Sequence, residues 1–388
     1  MQKIIIFRTL LLPYSETFIS DQVRHLKNWS ATMLGEAKLE NGLSLDGLNV
    51  ETLLESEADH YALSRQRALN DYINSALLSR ADSYRKAGYN LIHAHFAVDG
   101  LRVYPLAKEI DVPLIITLHG YDINIYKEWW YNGLGGRSMA SYPDKLIAMA
   151  KEDNVYFLAV SEAIKTRAVE FGIPEERINV SYIGVDCDRF KPSHISMSQR
   201  NQVLFVGRLV EKKGCQYLLS AFLEIQDKYR DVKLVVVGSG PQEEMLKSFA
   251  IKHNIRVEFL GAISREEILQ ELSMSRVLCL PSITAENGDA EGLPIVVLEA
   301  QSCGVPVITS ARGGATEGIV DGVTGYAHEE KDINEISRLL DRVLSDHVLA
   351  ERLGANARDH ILKNMNIKSC MQRLETIYDQ IYHASRID

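Results

Sequence analysis

The chain has 388 residues, 46% hydrophobic and 24% charged, with a net charge of −9. That is the balance of a globular protein, without the basic excess a general nucleic-acid binder needs. Domains hold about 100–200 residues, so the length predicts two.

The opening segment, MQKIIIFRTLLLP, has the apolar look of a signal peptide, but Arg8 interrupts the run and no small-residue cleavage site follows. A buried first strand over residues 3–7 is the better reading. Further strands are predicted over 91–95, 113–118, 156–160 and 178–183, then over 202–206, 232–237, 257–260, 277–281 and 306–309. Helical patterns lie between them, for instance over 217–229, 242–253, 265–273 and 332–345. Alternating strand and helix means α/β structure with parallel sheets covered on both faces.

The pattern restarts near residue 200, after the polar stretch DCDRFKPSHISMSQRN, which reads as a linker between two doubly wound domains. The expected division is 1–190, 191–367 and a last helix within 368–388 that finishes the second domain or returns to the first. Five cysteines, Cys187, Cys215, Cys279, Cys303 and Cys370, are scattered and never form C-x-x-C. This favours reduced thiols in a cytoplasmic compartment. No apolar run reaches the roughly 18 residues of a membrane span.

In open parallel sheets ligands bind beyond the carboxyl ends of the strands, and two such domains leave a cleft. Three loops in the second half fit that place. In Val206-Gly207-Arg208-Leu209-Val210-Glu211-Lys212-Lys213-Gly214, a glycine permits close backbone approach and two cations flank the loop. Arg208 offers a planar fork of donors and Lys213 a mobile point charge, which suits a diphosphate; a solvated surface loop has the same composition. Val237-Gly238-Ser239-Gly240-Pro241 opens like the dinucleotide fingerprint, but Glu243 replaces its third glycine. A tight strand-to-helix turn explains it as well as a nicotinamide site.

The third loop is Glu286-Asn287-Gly288-Asp289-Ala290-Glu291-Gly292-Leu293-Pro294, leading into the apolar run Ile295-Val296-Val297-Leu298-Glu299-Ala300. The run reads as a buried helix with proline near its start. Backbone N–H groups of Gly292 and Leu293 are expected to face the cleft, where a helix start attracts anions by about 0.3–1 kcal/mol per charge. Glu299 lies among apolar residues, so it needs a partner; ribose hydroxyls would serve, and so would a structural salt bridge.

Glu291 and Glu299 match the E-x7-E signature of retaining glycosyltransferases with the two-domain GT-B fold, and Arg208 and Lys213 match their phosphate-binding pair. Over nearly its whole length the chain resembles glycosyltransferase family 4. The resemblance implies two Rossmann-like domains facing a cleft, the first on the acceptor side and the second binding the nucleotide sugar. It implies that Gly207, Arg208, Lys213 and Gly240 serve the donor, Arg208 and Lys213 holding its diphosphate. Glu291 then lies beside the donor sugar, Gly292 and Leu293 offer amides, and Glu299 binds the ribose. His119, in His119-Gly120-Tyr121-Asp122, matches a histidine that approaches the donor sugar and phosphate, while Asp122 reads as a brace for that loop. UDP is favoured over GDP on family breadth.

His93-Ala94-His95 closes another strand, and alternate residues share a face, so both histidines could reach one ligand. No third metal ligand is evident, and no metal or other cofactor is expected; His95 is a candidate for acceptor contact. SETFI at 15–19 stands where many relatives carry a glycine-rich loop. With HAHFA, LHGYD and ENGDAEGLP it resembles the exopolysaccharide branch, including colanic-acid-type enzymes. That implies a glycan or lipid-linked oligosaccharide acceptor, and an enzyme peripheral to the inner membrane. Trp129, Trp130 and Tyr131 suit core packing, sugar stacking or a membrane surface. Asp186-Cys187-Asp188 spells D-x-D but reads as turn and capping chemistry. The alternatives are a non-catalytic nucleotide- or glycan-binding protein of the same fold, a nucleotide-sugar epimerase, and a nicotinamide dehydrogenase, for which the fingerprint is incomplete.

Overall fold

A computed structural model describes residues 1–65, 68–310 and 312–386. It divides into two compact units, Met1–Gly184 with Ile367–Asp388, and Val185–Asn366. The first holds β1 (Gln2–Leu11), β2 (Trp29–Lys38), β3 (Val50–Thr52), β4 (Tyr89–His95), β5 (Leu114–Leu118), β6 (Val155–Ala159) and β7 (Ile178–Val180). These form a parallel sheet in the order β3-β2-β1-β4-β5-β6-β7. Helices cover it, so the Ile4–Phe7 run of β1 is buried on both faces.

The second unit holds β8 (Gln202–Val206), β9 (Lys233–Val237), β10 (Val257–Gly261), β11 (Ser275–Leu280), β12 (Val307–Ser310) and β13 (Gly325–His328). Their order is β10-β9-β8-β11-β12-β13, again parallel. In both sheets the order reverses beside the unit's first strand. That opens a crevice at the carboxyl ends of β1 and β4, and of β8 and β11.

Three strands have no counterpart in the sequence reading. β2 is hidden by its polar letters, above all Glu36, which is fully buried. Its carboxylate is bound by Arg102 from the helix Ala97–Ile110, and His60 Nε2 lies 3.0 Å away. β3 and β13 have three and four residues, too short for a period to show.

The stretch read as a linker lies inside the second unit, where Phe190 is fully buried. Arg358 ties it down through the carbonyls of Cys187 and Phe190, at 3.0 and 2.8 Å. Asp186 Oδ1 accepts from the N–H groups of Asp188 and Arg189, at 3.0 and 3.1 Å, which is turn-capping chemistry.

The last helix, Ile367–Ala384, belongs to the first unit. Met371, Leu374, Tyr378 and Tyr382 share a core with Ile4, Ile6, Trp29 and Met33. Glu375, 4% exposed, accepts the backbone N–H groups of Lys27, Asn28 and Trp29. Trp29 Nε1 donates to Asp379 at 2.9 Å.

Candidate active site

In the second unit the loop after β8 is built by close backbone packing. Gly207 N donates to the Val237 carbonyl and Leu209 N to that of Ser239, at 3.0 and 2.9 Å. A Cβ on Gly238, whose φ is +130°, would lie 1.9 Å from the Gly207 carbonyl oxygen; one on Gly240 would lie 2.5 Å from that of Leu209. The G-x-G letters therefore let two loops touch. Gly214, at φ +65°, presses in the same way on the Pro281 carbonyl at the end of β11.

This packing brings Lys213 to Glu291. Its Nζ lies 2.6 Å from Oε1, and Ser282 Oγ donates to the same oxygen at 3.0 Å. Beside them Lys212 Nζ meets Asp289 Oδ1 at 2.9 Å. Glu291 is buried. Burial alone would raise its carboxyl, but Lys213 and Lys212 outweigh that and hold it below the ordinary range. Arg208 is exposed and pairs with no carboxylate among the described residues. Lys212 and Lys213 are thus both committed to carboxylates, and Arg208 faces solvent.

Gly292 and Leu293 are buried just ahead of Pro294, the N-cap of the helix Ile295–Ser302. Glu299 sits inside that helix, 5% exposed. Its Oε1 is 3.4 Å from Nη2 of Arg265, whose guanidinium lies 5.0 Å from the centre of the Phe190 ring. So Glu299 has a protein cation beside it. Lys212 and Arg265 escaped the sequence reading because their partners, Asp289 and Glu299, lie 77 and 34 residues away, and Ser282 because nothing local marks its hydroxyl as the donor to Glu291.

The first unit places His119 just beyond β5, partly buried. Phe18 and Phe96 flank it at ring-centre distances of 4.8 and 4.6 Å, and His95 Nδ1 is 3.1 Å from its Nε2. Phe96 takes φ +74°, a costly conformation for a side chain of this size. Asp122 braces the loop, accepting from the N–H groups of Ala97, His119 and Gly120. His119 belongs to this unit, whereas Arg208, Lys213, Glu291 and Glu299 are gathered in the other.

His93 and His95 do not share a ligand position. His93 spends both nitrogens on protein, Nδ1 with Tyr378 Oη and Nε2 with Thr117 Oγ1, each at 2.6 Å. Among the described residues no group of three or more His, Cys, Asp or Glu could hold a metal ion. Arg8, the charge inside the first apolar run, is the signal for a further cluster. It binds Glu16 and Asp99, each at 2.8 Å, and lies 4.7 Å from the centre of the Phe96 ring. Trp130 is core, packed on Tyr142, while Tyr131 is exposed. No helix among the described residues is long and apolar enough to cross a membrane.

The family model described as "Glycosyl transferases group 1" matches residues 187–360, and that described as "Glycosyltransferase Family 4" matches 54–189. A Mycolicibacterium smegmatis GDP-mannose-dependent alpha-(1-6)-phosphatidylinositol monomannoside mannosyltransferase is 34% identical over 284 residues, spanning 70% of this chain and 71% of that protein. The amylovoran biosynthesis glycosyltransferase AmsK of Erwinia amylovora is 30% identical over 231 residues, 59% of this chain and 57% of its own. Among solved structures, Anabaena HepE in complex with UDP-glucose shares the fold, with TM-score 0.79 and 20% identity over 98% of this chain and 100% of that one.

Proposed function

Because the chain belongs to the group 1 glycosyltransferases of family 4, we propose that it moves a hexosyl group, with retained anomeric configuration, from a nucleoside-diphosphate sugar to a glycan or lipid-linked oligosaccharide in bacterial surface polysaccharide synthesis. The observation that carries the site assignment is the Lys213–Glu291 contact at 2.6 Å, beside the unpaired Arg208. It supports that reading by holding an ammonium, proposed for phosphate oxygens, beside a carboxylate, proposed for sugar hydroxyls.

In the proposed reaction the acceptor hydroxyl attacks the anomeric carbon on the face the diphosphate is leaving. The new C–O bond forms as the bond to phosphate oxygen breaks, and that oxygen takes the hydroxyl proton. Charge developing on the diphosphate is met by Arg208, Lys213 and the amides of Gly292 and Leu293, with Gly207 and Gly240 letting the backbone approach. This is the electrostatic logic of an oxyanion hole, and it assigns no role to a metal ion. Glu291 orients the sugar or stabilises its oxocarbenium character, and Glu299 takes the ribose hydroxyls in exchange for Arg265. His119 contacts the donor sugar by family resemblance.

UDP is the proposed nucleotide, and GDP is its competitor, given the GDP-mannose dependence of the Mycolicibacterium relative. The proposed setting is the cytoplasm, at the inner membrane where lipid-linked acceptors lie; five buried, unbridged cysteines agree with a reducing compartment. A thermal-shift screen of UDP- and GDP-sugars, then a transfer assay with the product anomer read by NMR, tests all of this. A UDP-sugar should raise the melting temperature, and a retained linkage should follow. No shift with any nucleotide sinks the donor reading; hydrolysis or epimerisation without transfer sinks the transferase reading.

A further inference from the structure

Three histidines gather at the carboxyl ends of the neighbouring strands β4 and β5, and only two remain open to chemistry. His93 is closed on both sides by Tyr378 and Thr117. His95, 1% exposed, and His119 lie with ring planes 26° apart and Nδ1 of the first 3.1 Å from Nε2 of the second. A hydrogen bond between two imidazoles needs one proton between them: one ring donates and the other accepts.

The groups around the pair fix its charge state. Arg8 from β1 and His93 from β4 are the charged and titratable neighbours, Asp122 binds the loop only through backbone N–H groups, and Phe18 and Phe96 cover the rings. Burial, together with His93 and Arg8, holds both rings well below the ordinary imidazole range, so both are neutral at physiological pH. Neutral imidazole favours the proton on Nε2. If His119 Nε2–H donates to His95 Nδ1, both rings keep that form. The protein then gives His119 Nδ1 no hydrogen-bond partner among the described residues.

We propose that His95 is a positioning residue for His119: by accepting the Nε2 proton of His119 at its own Nδ1, it fixes that ring's tautomer and orientation and leaves His119 Nδ1 as an acceptor for a ligand hydroxyl. That this hydroxyl belongs to the donor sugar rests on the transferase reading; the coupling between the two rings does not. The arrangement follows the general rule that the bond made by one ring nitrogen decides what the other can do.

The test uses the full chain labelled with ¹⁵N-histidine, read by long-range ¹H–¹⁵N correlation between pH 5 and 8. In the wild type His119 should carry its proton on Nε2, with no titration in that window. His95→Phe should remove the acceptor, mixing the tautomers of His119; His95→Asn, whose side-chain oxygen can stand near the lost Nδ1, should restore the Nε2–H form. With a donor and acceptor in hand, His95→Phe should lower kcat about 10- to 100-fold with little change in donor KM, and His95→Asn should recover most of it. A His119 proton on Nδ1 in the wild type overturns the proposal, as do identical His119 signals in wild type and His95→Phe. Altered signals with unchanged kcat overturn the functional half alone. If His95→Phe does not fold, the wild-type spectrum and His95→Asn still decide. A chain that transfers no sugar refutes the transferase reading, while the spectra answer independently.

Discussion

Lys213→Met removes the ammonium and keeps most of the stem that packs over Gly207, where a Cβ would lie 3.4 Å from Lys213 Cδ. What remains is a carboxylate 8% exposed, facing a lost cation that was 2.6 Å away. Removing one partner of a buried pair costs about 3–5 kcal/mol. Here Ser282 still donates to Glu291, and the lysine was 16% exposed, so about 2–3 kcal/mol is expected after discounting. For a unit of this size that is a fall of about 4–12 °C in Tm. The sign with pH follows from Glu291, whose folded-state pKa is below its ordinary 4.5. A depressed carboxylate contributes stability above its unfolded pKa and loses it as pH falls through the folded one. The gap between wild type and Lys213→Met should therefore be full at pH 7 and close as pH falls below the ordinary 4.5 and through the lower folded-state value. Adding Glu291→Gln should recover much of the loss, because no unpaired charge is left buried. Calorimetry of the four proteins of this cycle measures the coupling. Turnover of Lys213→Met should fall about 10²–10³-fold. A variant that melts with the wild type at pH 7, or a double mutant worse than both singles combined, refutes the pairing; normal turnover refutes the phosphate role.

Glu375→Ala leaves the N–H groups of Lys27, Asn28 and Trp29 without their acceptor and should cost about 3 kcal/mol in urea unfolding, with Glu375→Gln losing less. Gly238→Ala should destabilise by at least about 3 kcal/mol, whereas Gly261→Ala, at φ +69° with nothing within 4 Å of the added Cβ, should cost only about 1–2 kcal/mol; equal melts would refute the loop-contact account. Burial pushes the Asp122 carboxyl up to about 6 against its backbone donors. The folded state then holds a proton that the unfolded chain has released, so this contribution is full below pH 4 and is lost as pH rises through about 6. Asp122→Asn should flatten that part of the stability profile, which pH-dependent chemical unfolding would record.

The amino-acid sequence by itself determined the α/β class, the restart near residue 200 and the two cation- and carboxylate-bearing loops of the second unit, because each is written in local periodicity and short spacing. Ile4–Phe7 announces a buried strand, and Pro294 ahead of six more residues to Ala300 announces a buried helix. Tertiary structure decided what those residues touch. Glu36 conceals β2 until Arg102 and His60 arrive from two separate helices. The G-x-G at Gly238 resembles a cofactor fingerprint until the Gly207 carbonyl is found 1.9 Å from where a Cβ would sit. His93 and His95 look equivalent until Tyr378, 285 residues away, closes one of them. Lys213 and Glu291 are separated along the chain but lie on adjoining loops because β8 and β11 are neighbours in the sheet. A buried polar group is stable only with its partner, and partners supplied by strand order are invisible to any rule that reads a few residues at a time.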